Sequence, residues 1–273
     1  MRRVNPFLYT KRYYLTACSG FDCFKKSYGK KLETRISRIV QDLHIKKGEQ
    51  VLDVGCGRGE VCFWAAGMGA ETVGIDYSKE AVKLAEKARL MQSRSIKKRT
   101  KFFAMDAKNL AFPDKTFDLV FMIEVLEHLY PEEQNKVLIE IRRVLKDDGV
   151  LVLHTAPTKW FNDFTYRYWC YPASWLLTRF WNGISGKKYP SLPSPKRIRS
   201  KYEKLMHVGE PDYFSLRRLL RNVGFIGKIE STNITVLKPI ISWKDSLFNY
   251  LVYLYPLSNH SPFNILWGND LIA

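Results

Sequence analysis

The sequence contains no long run of apolar residues. A helix that crosses a bilayer needs about 20 consecutive, mostly apolar residues, and no segment of these 273 residues approaches that length. The first seven residues carry charge but no apolar segment of the signal-peptide type. We therefore expect a cytoplasmic protein, with peripheral contact at the inner face of a membrane as a further option.

Cysteine is also scarce, and acidic residues are few beside basic ones. The five cysteines are an odd number without C-x-x-C spacing, which supports neither a disulfide framework nor a zinc cluster.

The formal net charge is +17, and residues 1–47 hold twelve Lys/Arg against three acids. Further basic clusters lie at 94–101 and 187–204. This distribution favours an anionic partner, either nucleic acid or an acidic membrane surface, and indicates no oligomeric state.

The dinucleotide fingerprint G-x-G-x-x-G is absent, and a different glycine loop stands in its place. The run Val51-Leu-Asp-Val-Gly-Cys-Gly-Arg-Gly59 leads from a strand pattern through G-x-G-x-G into a helix pattern. Asp53 precedes the loop, where a carboxylate would repel a pyrophosphate but suits a cationic amino group. Asp76 ends the next predicted strand, a position from which an acid accepts from ribose hydroxyls. A ribose and an ammonium group without phosphate indicate S-adenosylmethionine.

Six motifs in order resemble class I S-adenosylmethionine-dependent methyltransferases, and among them the small-molecule branch that includes quinone-biosynthesis enzymes. The resemblance covers residues 35–155 strongly and 207–237 weakly. The motifs are Val51–Gly59, Gly74–Asp76, Asp106-Ala107, Phe117–Val120, Glu124-Val-Leu-Glu-His128 and Arg143–Gly149.

The alternation of strand and helix patterns predicts a doubly wound α/β fold, and the resemblance implies a Rossmann-like, seven-stranded, mostly parallel sheet with an aromatic-rich lid insertion. The last two strands are expected near 225–230 and 233–237, the final one antiparallel. The predicted parts are a basic N-terminal flap and helix (1–47), a cofactor-binding core (48–155), a lid or substrate insertion (156–210), the C-terminal part of the core sheet (211–238) and an aromatic tail (239–273).

The resemblance also assigns cofactor residues. Asp53 and the loop residues Gly55, Cys56, Gly57 and Gly59 should face the methionine moiety. Asp76 should accept from the ribose hydroxyls, and Tyr77 should lie beside the adenine ring. Asp106, with Ala107, should bind the adenine amine. Glu124 is also assigned to the cofactor site.

Catalytic residues are less specified, because methyl transfer mainly requires alignment of donor and acceptor. His128 is the first candidate base, followed by His154 and then His207, and Glu124 is a further candidate. Glu124, Glu127 and His128 offer an alternative set of metal ligands, but packing and hydrogen bonding are favoured, so no metal is predicted.

No Asn/Asp-Pro-Pro-Tyr segment follows the fourth strand, which disfavours methylation of base amines. We therefore expect O-methylation of a small or lipid-linked amphiphile of glycan, polyprenyl or quinone type. The alternatives are methylation of a structured RNA and a non-catalytic cofactor-binding module.

Ten aromatic residues between positions 159 and 181 have three interpretations. They form a cap with its own small core, a membrane-interface element, or a stacking surface for single-stranded nucleic acid. We favour them in that order, and expect a pocket under the insertion that is walled by Trp and Tyr and rimmed by Lys and Arg.

Overall fold

The computed structural model describes residues 4–186, 188–234, 237 and 242–273, and these contain a seven-stranded sheet of order β3-β2-β1-β4-β5-β7-β6. Strands β1 to β5 are parallel to one another, and β7 is antiparallel to β5 and to β6. This confirms the predicted doubly wound, mostly parallel sheet. The strands are β1 (Gln50–Val54), β2 (Glu71–Asp76), β3 (Thr100–Ala104), β4 (Phe117–Ile123), β5 (Leu145–Thr155), β6 (Glu230–Thr232) and β7 (Asp270–Ile272).

Helices of several kinds surround the sheet. None of the helices in the described residues is long and apolar enough to cross a bilayer. The α-helices are α1 (Lys11–Thr16), α2 (Phe21–Ser27), α3 (Thr34–Val40), α4 (Glu60–Gly67), α5 (Lys79–Leu90), α6 (Arg94–Arg99), α7 (Pro131–Val144), α8 (Tyr171–Ser185), α9 (Lys201–Met206), α10 (Tyr213–Asn222), α11 (Trp243–Tyr253) and α12 (Phe263–Trp267). Short 3₁₀ helices span Pro6–Leu8, Leu126–His128 and Leu257–Asn259, and a π-helix spans Phe161–Cys170.

The strands at the centre of the sheet are buried on both faces. Val51 and Leu52, which point to opposite faces of β1, are both fully buried. Leu52 packs with apolar residues of α7 and α10 on one face, and Val51 with residues of α3 and α4 on the other. Helices on both faces explain why these strands read as nearly continuous apolar runs.

The last strand is supplied by the end of the chain. The prediction placed two closing strands near 225–230 and 233–237, but the structure forms β6 at Glu230–Thr232 and β7 at Asp270–Ile272. Positions 235 and 236 lie outside the described residues, and positions 233, 234 and 237 are not in a strand. The predicted tail therefore divides into helices and one strand of the core sheet.

The insertion and the tail share a small hydrophobic core. Phe161, Tyr166 and Cys170 of the π-helix pack with Phe248 and Val252 of α11, and all five are buried. The π-helix continues directly into α8, which also packs against α11. The aromatic residues thus build a helical unit beside the sheet, from two segments that are far apart in the sequence.

Candidate functional site

A cavity of about 530 Å³ opens at the carboxyl ends of β1, β2 and β4. This is the edge at which open α/β sheets bind ligands. Its walls come from the glycine loop, from the segments after β2, β3 and β4, from the N-terminal flap (residues 4–31), and from the insertion. Every predicted cofactor residue except Gly59 lines it.

The glycine loop requires residues without a side chain. Gly55 has φ +76°, and a Cβ there would lie 2.3 Å from a methyl group of Val125. Gly59 has φ +85° where it begins α4, and a Cβ would lie 2.7 Å from the Phe102 ring. The left-handed conformation and the close approach together explain the glycines at these two positions. Gly59 shapes the loop and does not line the cavity.

Two buried carboxylates flank the loop. The Asp76 carboxylate accepts from the backbone N–H groups of Gly57 (3.1 Å) and Ser78 (2.8 Å). Burial raises the pKa of Asp76 to about 6 and that of Asp53 to about 7. Asp53 accepts a weak hydrogen bond from the Cys62 thiol at 3.6 Å, and no cation of the described residues forms an ion pair with it. A buried carboxylate beside a cavity, without a cation, fits a ligand that brings an ammonium group.

Asp106 lies farther out, on the segment after β3. Its carboxylate accepts from the backbone N–H of Lys108 at 3.0 Å and pairs with the Lys108 ammonium at 3.3 Å. Tyr77, also on the cavity wall, packs edge to face against Tyr9 of the flap, with ring centroids 5.0 Å apart. Asp106, Ala107 and Tyr77 thus all line the cavity, and their assignment to the adenine stays a prediction.

The N-terminal flap is fastened to the glycine loop by Arg58. This buried guanidinium donates to the carbonyl oxygens of Tyr14 (2.9 Å), Cys18 (3.4 Å) and Ser19 (2.6 Å), and it pairs with Glu60. Its central carbon lies 5.1 Å from the centroid of the Phe24 ring. The sequence prediction missed Arg58, since no local pattern marks which carbonyl groups a loop arginine will reach.

Glu124 is paired across the cavity wall with Arg35 of α3. Both carboxylate oxygens accept from this guanidinium, and Glu124 has φ +57°, an unusual conformation for a residue with a side chain. Its backbone N–H donates to the carbonyl oxygen of His154 at 2.9 Å. The fixed ion pair favours a role in shaping the cavity over proton transfer, so its assignment as a catalytic group stays a prediction.

His128 and His207 meet on the cavity wall, their ring centroids 4.8 Å apart. Nδ1 of His128 donates to the Met206 carbonyl oxygen (3.3 Å), and Nδ1 of His207 donates to Glu210 (3.0 Å). Burial, with the neighbouring His207, lowers the pKa of His128 to about 3, so its Nε2 is an unprotonated acceptor. Burial opposes protonation of His207, but the Glu210 hydrogen bond and the Glu127 charge raise its pKa above the ordinary value.

Glu127 completes this group. It is buried, it accepts from the Thr155 hydroxyl at 2.8 Å, and burial raises its pKa to about 7. One ligand atom each from Glu127, His128 and His207 lies within 4.8 Å of the others, an arrangement that can hold a metal ion. It differs from the ligand set considered from the sequence, because Glu124 is bound by Arg35 and His207 takes its place. The expectation that no metal is used stays a prediction.

His154, the second candidate base, is placed elsewhere. Its side chain is fully buried, with Nε2 3.1 Å from the Asp270 carboxylate of β7, and it is not among the residues that line the described cavity. The structure therefore gives His154 a position that joins β5 to β7 and does not support it as a base.

The insertion contributes a different wall from the one expected. Among the described residues, its cavity-lining side chains include one aromatic residue, Phe161, beside Pro157, Ile198 and Arg199. The tyrosines of the wall are Tyr9, Tyr14 and Tyr77, from the flap and the end of β2. The prediction of a pocket walled by Trp and Tyr of the insertion is thus wrong, because the helical unit turns most of its aromatic side chains inward or to solvent.

Comparison with known proteins agrees with the geometry. Residues 52–153 match the family described as methyltransferase domain. A probable methyltransferase from Aspergillus luteorubrus is 34% identical over 147 residues, 51% of this chain and 48% of that protein. A cyclopropane-fatty-acyl-phospholipid synthase from Escherichia coli is 26% identical over 150 residues, 52% of this chain and 37% of that protein. The chain spans about half the length, or less, of these curated relatives.

A solved structure shares the fold. It is a SAM-dependent methyltransferase from Methanosarcina mazei, with a TM-score of 0.52 at 23% identity over 74% of this chain and 90% of that one. These similarities are not specific to the quinone-biosynthesis branch, which stays a prediction. The matched segment and the sheet order show that residues 52–153 of this chain form a methyltransferase domain with the class I fold, and its cofactor is S-adenosylmethionine.

Proposed function

We propose that this protein methylates an oxygen atom of an amphiphilic acceptor that lies between His128 and the insertion. The observation that carries the proposal is one continuous cavity, which runs from Asp53 and Asp76 at the glycine loop to His128 and the insertion. Bound S-adenosylmethionine supplies an electrophilic methyl group. The residues that line the cavity hold the methyl donor and the acceptor in line and exclude water, which is the main requirement of such a transfer.

A hydroxyl acceptor must lose a proton during the reaction. His128 suits this role because the Met206 carbonyl oxygen accepts from its Nδ1 and fixes the ring, which leaves Nε2 as the atom that accepts the proton. The carboxylate of Glu127 lies beside it and, when ionised, stabilises the imidazolium that forms, whereas His207 opposes this positive charge. The absence of an amine-holding motif after β4 supports oxygen over nitrogen as the acceptor atom.

The chemistry of the outer wall supports an amphiphile. Pro157, Phe161 and Ile198 provide apolar contact, and Arg199 and His207 provide polar groups on the same side. One relative of this chain is a cyclopropane-fatty-acyl-phospholipid synthase, an enzyme of an amphiphilic lipid, which agrees with this class. Within it we expect a lipid-linked glycan, a polyprenyl compound or a quinone-type precursor.

Transfer of an isotopically labelled methyl group tests the proposal. The purified chain is incubated with labelled S-adenosylmethionine and with separate lipid, small-molecule and RNA fractions of a cell extract, and products are read by mass spectrometry. An Asp76→Ala variant is the control, because it should bind the cofactor poorly. We expect label in the lipid or small-molecule fraction as a methyl ether or ester. Label in RNA alone would support the RNA alternative, and bound cofactor without any transfer would support the non-catalytic module.

A further inference from the structure

Helix α8 buries small polar side chains and exposes large apolar ones, the reverse of an ordinary amphipathic helix. Its buried residues are the small polar Ser174 and Thr178, and Thr178 donates its hydroxyl hydrogen to the Ser174 carbonyl oxygen. Its large apolar side chains face solvent instead: Trp175, Leu176, Phe180 and Ile184 are 42–70% exposed. Leu176, Phe180 and Ile184 follow one another at intervals of four residues and so lie on one side of the helix, and Trp175 lies next to Leu176 at the edge of that side. Monomeric proteins seldom expose a contiguous apolar face of this kind without a partner.

The two neighbouring elements also expose large apolar side chains, and the rings of Trp181 in α8 and Trp243 in α11 lie 5.5 Å apart. The π-helix adds Phe164, Tyr168 and Trp169, and α11 adds Trp243 and Tyr250, all 43–67% exposed. Since α8, the π-helix and α11 pack around one small core, these side chains belong to one rigid unit. We call this surface the aromatic face, comprising the exposed apolar residues of 161–185 and 243–251.

Cations accompany the aromatic rings of this face. The guanidinium of Arg167 lies 5.4 Å from the centroid of Tyr168, that of Arg179 lies 5.2 Å from Trp175, and the Lys244 ammonium lies 5.0 Å from Trp181. Between positions 159 and 189 the sequence has five basic residues and one acid. The face is therefore both apolar and positively charged, in a chain with a net charge of +17.

We propose that the aromatic face docks the protein on the surface of an anionic lipid bilayer. Trp and Tyr rings prefer the region between headgroups and acyl chains, aliphatic side chains such as Leu176 and Ile184 enter it, and Arg and Lys bind anionic headgroups. A second copy of the chain would bring like charges together on this face. Single-stranded nucleic acid would leave the exposed aliphatic side chains without a stacking role.

The placement also connects the face to the cavity. Phe161 lines the cavity and begins the π-helix, while Phe164 and Tyr168 of the same helix belong to the aromatic face. A docked protein would thus hold its cavity close to the bilayer, from which an amphiphilic acceptor can enter. The docking surface is nevertheless separate from the cavity, so its test does not depend on the acceptor or on turnover.

Co-sedimentation with lipid vesicles tests the proposal. The full chain is mixed with vesicles of phosphatidylcholine alone or of phosphatidylcholine with phosphatidylglycerol, at low and high salt. We expect binding to the anionic vesicles, weakened but not abolished by salt. The variant Trp175→Ala/Phe180→Ala/Ile184→Ala should bind at least about tenfold more weakly because it buries less apolar area. The variant Arg179→Glu/Lys244→Glu should bind the anionic vesicles about tenfold more weakly or worse, and this loss should be greatest at low salt.

Matched controls change equally exposed residues elsewhere. Leu90→Ala/Ile139→Ala/Ile226→Ala controls for apolar area and Arg94→Glu/Lys98→Glu for charge, and both should bind vesicles like the wild type. Retained binding of labelled S-adenosylmethionine shows that each variant is folded; single Trp175→Ala and Phe180→Ala variants replace the triple variant if it fails this check.

The proposal is overturned if neutral and anionic vesicles bind alike, if neither binds, or if the aromatic-face variants bind like their controls. A dimer in solution that dissociates in the triple variant would assign the face to a second copy instead. Binding of a single-stranded RNA homopolymer that the triple variant loses, without vesicle binding, would assign it to nucleic acid.

Discussion

Asp53 lies at the end of β1 with only 3% of its surface exposed, and burial raises its pKa to about 7. In the unfolded chain an aspartate has a pKa of about 3.9. Between these two values the folded state binds more protons than the unfolded state, so the stability of the cofactor-free protein falls as the pH rises. Asp76 and Glu127, with pKa values raised to about 6 and about 7, act in the same direction.

Replacing Asp53 by Asn should remove one part of this pH dependence. We expect Asp53→Asn to gain stability relative to the wild type on going from about pH 5 to about pH 8, by ~1 kcal/mol or more. Urea unfolding of the cofactor-free proteins at the two pH values measures the difference. Asp22→Asn, at an exposed position of α2, is the control and should show no such change. An equal stability difference at both pH values would contradict a buried, protonated Asp53.

The two histidines that follow β4 and end β5 should behave differently when replaced. We expect His128→Gln to lower kcat by about 10²–10⁴-fold, because the acceptor loses its base, without a matching loss of stability. His154→Gln should instead lower the free energy of unfolding by about 2 kcal/mol, because the buried hydrogen bond between His154 and Asp270 is lost, and should keep the wild-type kcat. Initial rates on the acceptor found by label transfer, with thermal unfolding beside them, separate the two effects.

The pH profile gives a second readout for His128. With a pKa of about 3, this residue stays unprotonated through the physiological range. If kcat falls as the pH is lowered through neutrality, the titrating group is therefore Glu127 or His207. The variant His207→Asn should shift the pH at which kcat falls. Loss of kcat in the His154 variant at unchanged stability would contradict the roles assigned here.

At the level of elements, Arg58 connects the N-terminal flap to the glycine loop through three carbonyl groups. We expect Arg58→Ala to release the flap, since the variant leaves these buried acceptors and the Glu60 carboxylate without their donor, at a cost of about 3–5 kcal/mol. Hydrogen exchange of residues 4–31 should rise, and cofactor affinity should fall as Tyr9 and Tyr14 leave the cavity wall. Arg38→Ala, at an exposed position of α3, is the control. Unchanged exchange in the flap would show that Arg58 does not hold it.

The sequence predicts elements well where the pattern is local. Apolar patterns predict the first five strands at 51–54, 72–75, 101–104, 118–123 and 150–154, and β1 to β5 lie within a few residues of these positions. Periodicity, the cap at Ser78 and the proline at 131 likewise predict helices at 60–68, 78–91, 131–145 and 212–222, where α4, α5, α7 and α10 lie. Strand β7 escaped prediction because its three residues carry no strand pattern of their own. Contacts with distant residues select it: Leu271 is fully buried in the core, and Asp270 pairs with His154.

The same distinction holds for the site. Asp53, the glycine loop and Asp76 are predictable because they lie within one strand–loop–helix unit and the strand after it. The Arg35–Glu124 pair joins positions 89 residues apart, and the His128–His207 contact crosses a comparable distance. Neither Arg35 nor Arg58 has a local signal that identifies its partner, so only the folded chain brings these groups together.

On the scale of the whole molecule, the cavity wall and the aromatic face are two separate surfaces, although the sequence prediction joined them in one pocket. The cavity is walled by the core, the flap and the inner side of the insertion, whereas most of the tryptophans lie in the outer helical unit. The basic residues and the aromatic face therefore belong to the proposal about membrane docking, and the cavity belongs to the proposal about methyl transfer. The two proposals can fail independently.

The central claim is that the cavity at the glycine loop holds S-adenosylmethionine, and calorimetric titration of the full chain tests it most directly. We predict one site per chain for S-adenosylmethionine and no measurable binding of NAD. Asp76→Ala should weaken binding by about 10- to 150-fold, because the ribose loses charge-assisted hydrogen bonds worth about 1.5–3 kcal/mol, and Asp22→Ala should bind like the wild type. Preference for NAD, or equal affinity of the Asp76→Ala variant and the wild type, would contradict the account.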